Sequence, residues 1–255
     1  MFHKTLSPLL LLAGALTLAY VNSFLGVFQF DDYNVVVNNA VVHSWAAWFA
    51  DLPHGIRPLL KLTYTVNWTM GWGTFGFHLF NLAVHAGNTF LVYGVAVRIL
   101  REQTATSPWP DTPIAALLTA LLFAVHPVQT EAITYICGRS TSLMAFFTLA
   151  GFYAYQRGVE ESRPSFIYVA GPILFVMAIL SKEVAVTLPA ALLLWEACRQ
   201  DRDYGDRDQK DGGQSYRGQS DGGQKSGRQS DRGQKDGLHR RPFRPAARSS
   251  RHSAP

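Results

Sequence analysis

Cysteine and charge are what this chain has least of, and each shortage excludes something. There are two cysteines, Cys137 and Cys198. No Cys/His spacing suits a zinc site, and the topology reached below puts the two thiols on opposite membrane faces, which excludes a disulfide framework. Charged side chains make up 16% of the 255 residues and are unevenly spread. Up to Cys198, nine Lys+Arg stand against ten Asp+Glu; from Arg199 onward, fourteen stand against eight. The formal net charge of +5 is therefore a property of the tail, and a nucleic-acid partner is not expected from it.

What the chain has instead is long apolar runs. A bilayer core needs roughly 20 mostly apolar residues per helix. Spans are expected at about Leu6–Phe28, Phe77–Val97, Ile114–Val125, Thr141–Tyr155, Phe166–Leu180 and Val184–Ala197. The competing reading of the first run is a secretory signal peptide, but the run is long and no small-x-small site ends it. The expected class is all-α: a polytopic helical membrane protein of about six spans, covering residues 1–198, with amphipathic helices in its first external loop. Placing the N-terminus inside puts Lys4, Arg98, Arg101, Arg157, Arg163, Arg199 and Arg202 on the inner face. Arg57, Lys61, Arg139 and Lys182 then lie outside, and seven against four favours cytoplasmic N- and C-termini.

That topology collects the distinctive polar residues on the outer face. The segment Gln29–Trp72 is too polar to span, and Trp45, Trp48 and Phe49 recur at helical spacing, as in a helix lying in the interface. Asp31 and Asp32 open this loop. In the second span His78, Asn81, His85 and Asn88 fall within an arc of about 80°. Interhelical hydrogen bonding is the expectation for Asn81, His85 and Asn88, and His78 at the outer end stays open between structure and site. His126 and Glu131 follow the third span, Arg139 opens the fourth, and Lys182 and Glu183 separate the fifth from the sixth. Singly these are snorkelling charges or ion pairs; together they form a candidate site.

Transfer of a sugar from a lipid phosphate to a hydroxyl needs those groups. A carboxylate, Asp31 or Asp32, removes the acceptor proton, and Arg57, Arg139 and Lys182 stabilise the departing phosphate. No acid is required for a leaving group that is already a phosphate, and single displacement inverts the anomeric carbon. His78, His126, Glu131 and Glu183 are further site candidates. No metal site is indicated, although a divalent ion is compatible with the chemistry.

The order FDDY, RPLLKLTY, GFHLFNLAVHAGN, HPVQTEAITYICGRS and LSKEVAVTLP resembles the GT-C membrane glycosyltransferases. The branch it looks most like is the transmembrane-and-TPR protein O-mannosyltransferases and their bacterial relatives. The resemblance covers about residues 1–198. It implies a polyprenyl-phosphate sugar donor, often mannose, a protein or glycan acceptor, and transfer on the lumenal or periplasmic face of an endoplasmic reticulum or bacterial inner membrane. The family's acidic pair maps onto Asp31 and Asp32, its basic motif onto Arg57, and its HP…E and KE motifs onto His126, Glu131, Lys182 and Glu183. Members usually have more than six spans, and this branch continues into TPR repeats. No 34-residue helical repeat is present, so the chain reads as the N-terminal half of the membrane module, a truncated enzyme.

Residues 199–255 carry a ten-residue repeat from Asp211, DGGQSYRGQS, DGGQKSGRQS and DRGQKDG, without apolar residues to bury. Disorder is expected, with attraction to anionic lipids or a frameshifted origin as its readings. A non-catalytic scaffold or pseudoenzyme fragment is the alternative to an enzyme. A transporter fits less well, because the ionisable groups gather at one face and no inverted repeat is visible.

Overall fold

Backbone polar groups inside a bilayer must be satisfied within their own segment, so apolar runs of this length fold as helices. A computed structural model describes residues 2–104 and 112–200, and among these there is no strand. The helices are α1 (Phe2–Tyr20), α2 (Trp45–Asp51), α3 (Pro58–Met70), α4 (Gly73–Thr104), α5 (Thr112–Val125), α6 (Gln129–Thr134), α7 (Arg139–Glu160) and α8 (Gly171–Ser181). Residues 188–200 are also helical. Short 3₁₀ turns extend α1 through Val21–Leu25 and join α6 to α7 at Ile136–Gly138. The ten-residue repeat and most of the Pro-rich break lie outside the described residues.

A helix stands at each of the six positions where a span is expected. Two are long and apolar enough to cross a membrane, Ser7–Leu25 and Gly73–Arg101. Thr112–Val125 and Phe166–Ser181 are shorter apolar helices. The first run stops helping earlier than residue 28, because Gly26 turns extended with φ −67° and ψ 151°.

Local chemistry sets the ends of the loop helices. The Ser44 hydroxyl accepts the Ala47 N–H at 3.2 Å and starts α2. Pro58 begins α3, where its missing N–H costs nothing. Gly71 ends α3 in the left-handed region, φ 71°, with its N–H donated to the Trp68 carbonyl. Trp48 donates its indole N–H to the Pro58 carbonyl at 3.0 Å, tying α2 to α3. Trp45 and Phe49, four residues apart on α2, remain exposed.

Met1–Ala197 forms one unit, and two apolar clusters lie in the part that precedes α7. Val36, Val42, Leu60, Tyr64, Phe77 and Ile136 pack the first loop onto α3, α4 and the α6–α7 turn. Leu16, Tyr20, Ala124 and Ile133 join α1, α5 and α6. The polar face of α4 points inward as its spacing requires: His78, Asn81, His85 and Asn88 are all buried. His85 Nε2 lies 3.0 Å from the Ala124 carbonyl, and the Tyr20 hydroxyl donates to the same oxygen at 3.1 Å. That carbonyl is left without a partner where α5 ends before Pro127, so two neighbouring helices cap it. Asn88 donates to the Ser142 carbonyl at 2.9 Å.

Charged residues then form two layers. Arg98, at the far end of α4, pairs with Glu160 and Glu161, and Arg157 and Arg163 also reach Glu161. His78 and Arg98 are twenty residues apart on α4, and Arg139 and Glu160 are twenty-one apart on α7. Each separation is about 30 Å of helix, the thickness of a hydrocarbon core.

Candidate functional site

The two adjacent aspartates of the first loop have opposite environments. Asp32 is 1% exposed, and both carboxylate oxygens accept backbone N–H groups, from Gln29 at 3.0 Å and from Cys137 at 2.8 Å. It therefore fastens the loop to the turn before α7. Asp31 is exposed; its backbone N–H donates to the Tyr135 hydroxyl at 3.0 Å, and its carboxylate makes no hydrogen bond or ion pair among the described residues. Burial, together with the hydrogen bond to Asp32, pushes the Cys137 thiol well up. Cys137 thus stays protonated at neutral pH and is no nucleophile.

Arg57 occupies the left-handed region, φ 55°, at the cap of α3. Its guanidinium grips Glu183 in a fork, Nη2 to Oε1 at 2.6 Å and Nε to Oε2 at 3.0 Å. The Arg57 hydrogen bonds, with the Lys182 charge adding, hold the Glu183 carboxyl down at about 2. Lys182 Nζ donates to the Thr141 hydroxyl at 2.9 Å. The Glu183 carboxylate thus occupies a position where two cations and a rigid fork favour an oxyanion. Thr141 lies in the first turn of α7, four residues beyond Cys137, so the cationic corner and the aspartates are fastened to one short segment.

Arg139, expected to bind donor phosphate, has a different environment. It is 0% exposed. Nε donates to Asn81 Oδ1 at 2.7 Å, Nη1 to the Thr63 hydroxyl at 3.2 Å and Nη2 to the Phe77 carbonyl at 2.9 Å. Tyr64, Phe77 and Phe80 enclose it, with Phe80 nearest at 4.4 Å to the ring centroid. Burial lowers this guanidinium to about 10, partly offset by Tyr64, Cys137 and Asp32, so it keeps its charge at neutral pH. The structure makes it a framework residue, closed to a ligand, because all three of its nitrogens are bonded to protein groups.

His78 is also fully buried. Its ring nitrogens lie near the Gly26 and Ile133 backbone without meeting hydrogen-bond geometry. Gly26 permits this approach, since a Cβ there would sit 2.6 Å from His78 Nε2. His126 is exposed and accepts the Val128 N–H on Nδ1 at 3.2 Å, shaping the turn after α5. Glu131 is exposed on α6 and lines a cavity beside Tyr135. Among the described residues no three His, Cys, Asp or Glu side chains converge on a metal-sized position.

Every block of the sequence order is thereby joined by a measured contact to another. The chain is 31% identical over 195 residues to human "Protein O-mannosyl-transferase TMTC4", covering 66% of this chain and 26% of that protein. It is 31% identical over 212 residues to mouse "Protein O-mannosyl-transferase TMTC1", covering 73% of this chain and 21% of that protein. The human TMTC3 protein is 27% identical over 216 residues, covering 77% and 22%. The chain is related to the protein O-mannosyl-transferases. It spans about a quarter of the length of the curated relatives it matches. No protein-family model matches it, and no solved structure gives a significant match.

In this relative of the O-mannosyl-transferases, three residues that sequence reasoning passed over matter to the site. Tyr135 orients Asp31, Thr141 holds Lys182, and the Cys137 N–H binds Asp32. Tyr135 and Cys137 sit inside the quoted ITYICGRS block, but a backbone donor and a tyrosine acceptor leave no spacing signature. Thr63 and Tyr64 escaped similarly, since their part depends on a guanidinium that arrives from α7.

Proposed function

We propose that this chain carries the donor-phosphate and general-base end of a membrane glycosyltransferase, moving a mannosyl group from a polyprenyl phosphate to a protein hydroxyl. Asp31 takes the proton from the acceptor O–H as that oxygen bonds to the anomeric carbon. The anomeric C–O bond to phosphate breaks with its electron pair, and the polyprenyl phosphate departs with inverted stereochemistry at the sugar. Arg57 and Lys182 stabilise the charge that gathers on the phosphate, with Glu183 as its resident competitor. Asp32 and Arg139 act as positioning residues. The observation that carries this reading is that, in one hydrogen-bonded frame, Asp31 has a free carboxylate and Arg57 already grips an oxyanion.

Six membrane crossings, with the site on the external face, accompany this proposal. They are supported by the two charged layers about 30 Å apart on α4 and α7. A transport pathway along α4 has less support, since its polar face is closed by bonds to Ala124 and Ser142.

The test is mannosyl transfer by the full chain in membranes, from a synthetic polyprenyl-phosphate mannose to a Thr-containing peptide. Asp31→Asn is expected to lower kcat about 100- to 10,000-fold, the scale of general-base catalysis. Asp51→Asn, at a carboxylate already paired with Lys61, is expected to retain activity. Full activity in Asp31→Asn would remove the proposed base.

A further inference from the structure

A cavity of about 540 Å³ opens beside Phe30, between the end of the first apolar helix, the segment leading to the aspartates and α6. Asn22, Gln29, Phe30, Glu131, Thr134 and Tyr135 line it. We infer that this cavity is the acceptor subsite, that its occupant is a hydroxyl-bearing peptide segment of neutral or basic charge, and that Phe30 is the aromatic contact it packs against. The inference rests on the glycosyl-transfer reading above and adds the acceptor's place and chemistry to it.

Position is the first argument. Tyr135, part of the cavity wall, accepts the Asp31 backbone N–H at 3.0 Å. The lining ends at Phe30, one residue before Asp31, so a hydroxyl held in the cavity is presented at the base's own segment. Asp31 itself, like Arg57, Lys182 and Glu183, is absent from the lining.

Charge is the second. The lining holds one carboxylate, Glu131, and no cation. Such a wall repels a sugar phosphate and suits an acceptor without negative charge, so donor and acceptor are sorted to different parts of the site. The Asn22 and Gln29 side chains are exposed and bonded to no other described residue. A primary amide both donates and accepts, which is what an extended peptide's alternating N–H and C=O groups require.

Phe30 supplies the third. It has φ 43°, a region that bulky residues rarely enter, and it is 83% exposed. Neither ease of backbone nor burial accounts for an aromatic ring held there. It sits immediately before Asp31 and faces the cavity, where an occupant would cover it.

The experiment uses the full chain in lipid nanodiscs and synthetic peptides bearing one Thr and a photo-crosslinker. Without donor, a peptide with basic flanks is expected to crosslink to residues 22–30 and 131–135 several-fold more than one with acidic flanks. Glu131→Arg should reverse that preference. In transfer assays, Phe30→Ala is expected to raise the acceptor KM about five- to tenfold, the scale of one lost aromatic contact, and to leave the donor KM unchanged. Phe30→Tyr should restore it, and Phe30→Gly, which relaxes the backbone, provides a variant that folds at least as well. Crosslinking here without any sugar transfer would uphold the subsite and remove the enzyme reading. Transfer with peptide crosslinks elsewhere would overturn the subsite and leave the enzyme. Competition by an oligosaccharide but by no peptide, or a Phe30→Ala effect on membrane retention alone, would also overturn it.

Discussion

A base that accepts a proton from an incoming hydroxyl needs an accessible lone pair aimed at it, and Asp32 is buried with both oxygens turned to backbone N–H groups. Asp32→Asn removes one of those acceptors and turns an amide N–H toward a donor. It is expected to destabilise the chain by about 1–3 kcal/mol, with any fall in kcat following from the loosened loop. Thermal melting in detergent separates the two variants: Asp31→Asn melts with the parent, Asp32→Asn below it. The Arg57–Glu183 fork gives a different kind of prediction. A carboxyl held down at about 2 contributes stability above its ordinary value, lost only as pH falls toward 2. Between pH 5 and 8 the fork is therefore constant, and no ionisation of Glu183 should appear in the pH profile of the donor KM. Glu183→Gln removes the charge competing for Arg57 and should lower the donor KM about two- to fivefold, the range of an exposed ion pair. A higher donor KM in that variant would make Glu183 a donor-binding residue instead.

Among elements, the decisive junction is Arg139, which connects the start of α7 to Thr63 on α3 and to Phe77 and Asn81 on α4. Removing one member of a buried charged network leaves its partners unsatisfied, so Arg139→Ala should cost about 3–5 kcal/mol. Arg139→Lys keeps the charge but cannot make three divergent bonds, and should recover only part of it. Melting temperatures measured on the full chain in detergent would check both, and an Arg139→Ala protein as stable as the parent would contradict the framework role. The helical content was legible beforehand because apolar runs have few alternatives to helix. So was the inward face of α4, because 100° per residue puts His78, Asn81, His85 and Asn88 on one side. The roles of Arg139 and Asp32 were not legible. An external arginine and a buried one have the same letter, and only the Tyr64, Phe77 and Phe80 rings, brought together from two helices, decide between them. The aspartates differ by one residue in a turn where successive side chains diverge, a distinction no composition or spacing carries.

For the whole molecule, the two charged layers make a topological prediction that does not depend on catalysis. If α4 and α7 cross the bilayer, the corner holding Asp31 and Arg57 faces one compartment, and Arg98, Arg157 and Glu161 face the other. His54, exposed in the loop before α3, belongs to the first layer, and Arg163, whose side chain is 63% exposed, belongs to the second. Replacing Cys137 and Cys198 by Ser clears the background, since these are the chain's only cysteines. His54→Cys should then react with a membrane-impermeant maleimide from the external side of sealed cells or vesicles. Arg163→Cys should react only after permeabilisation. Opposite labelling supports a crossing between residues 54 and 163 and the external placement of the site; labelling of both from one side would remove the external site. The same pair of variants bears on the chemistry. A polyprenyl chain lies in the hydrocarbon while its phosphate sits at the interface, so the corner that binds it has to lie at a membrane boundary. Arg57 and Lys182 sit at helix ends, where a side chain can reach a phosphate at that depth without being drawn into the apolar layer.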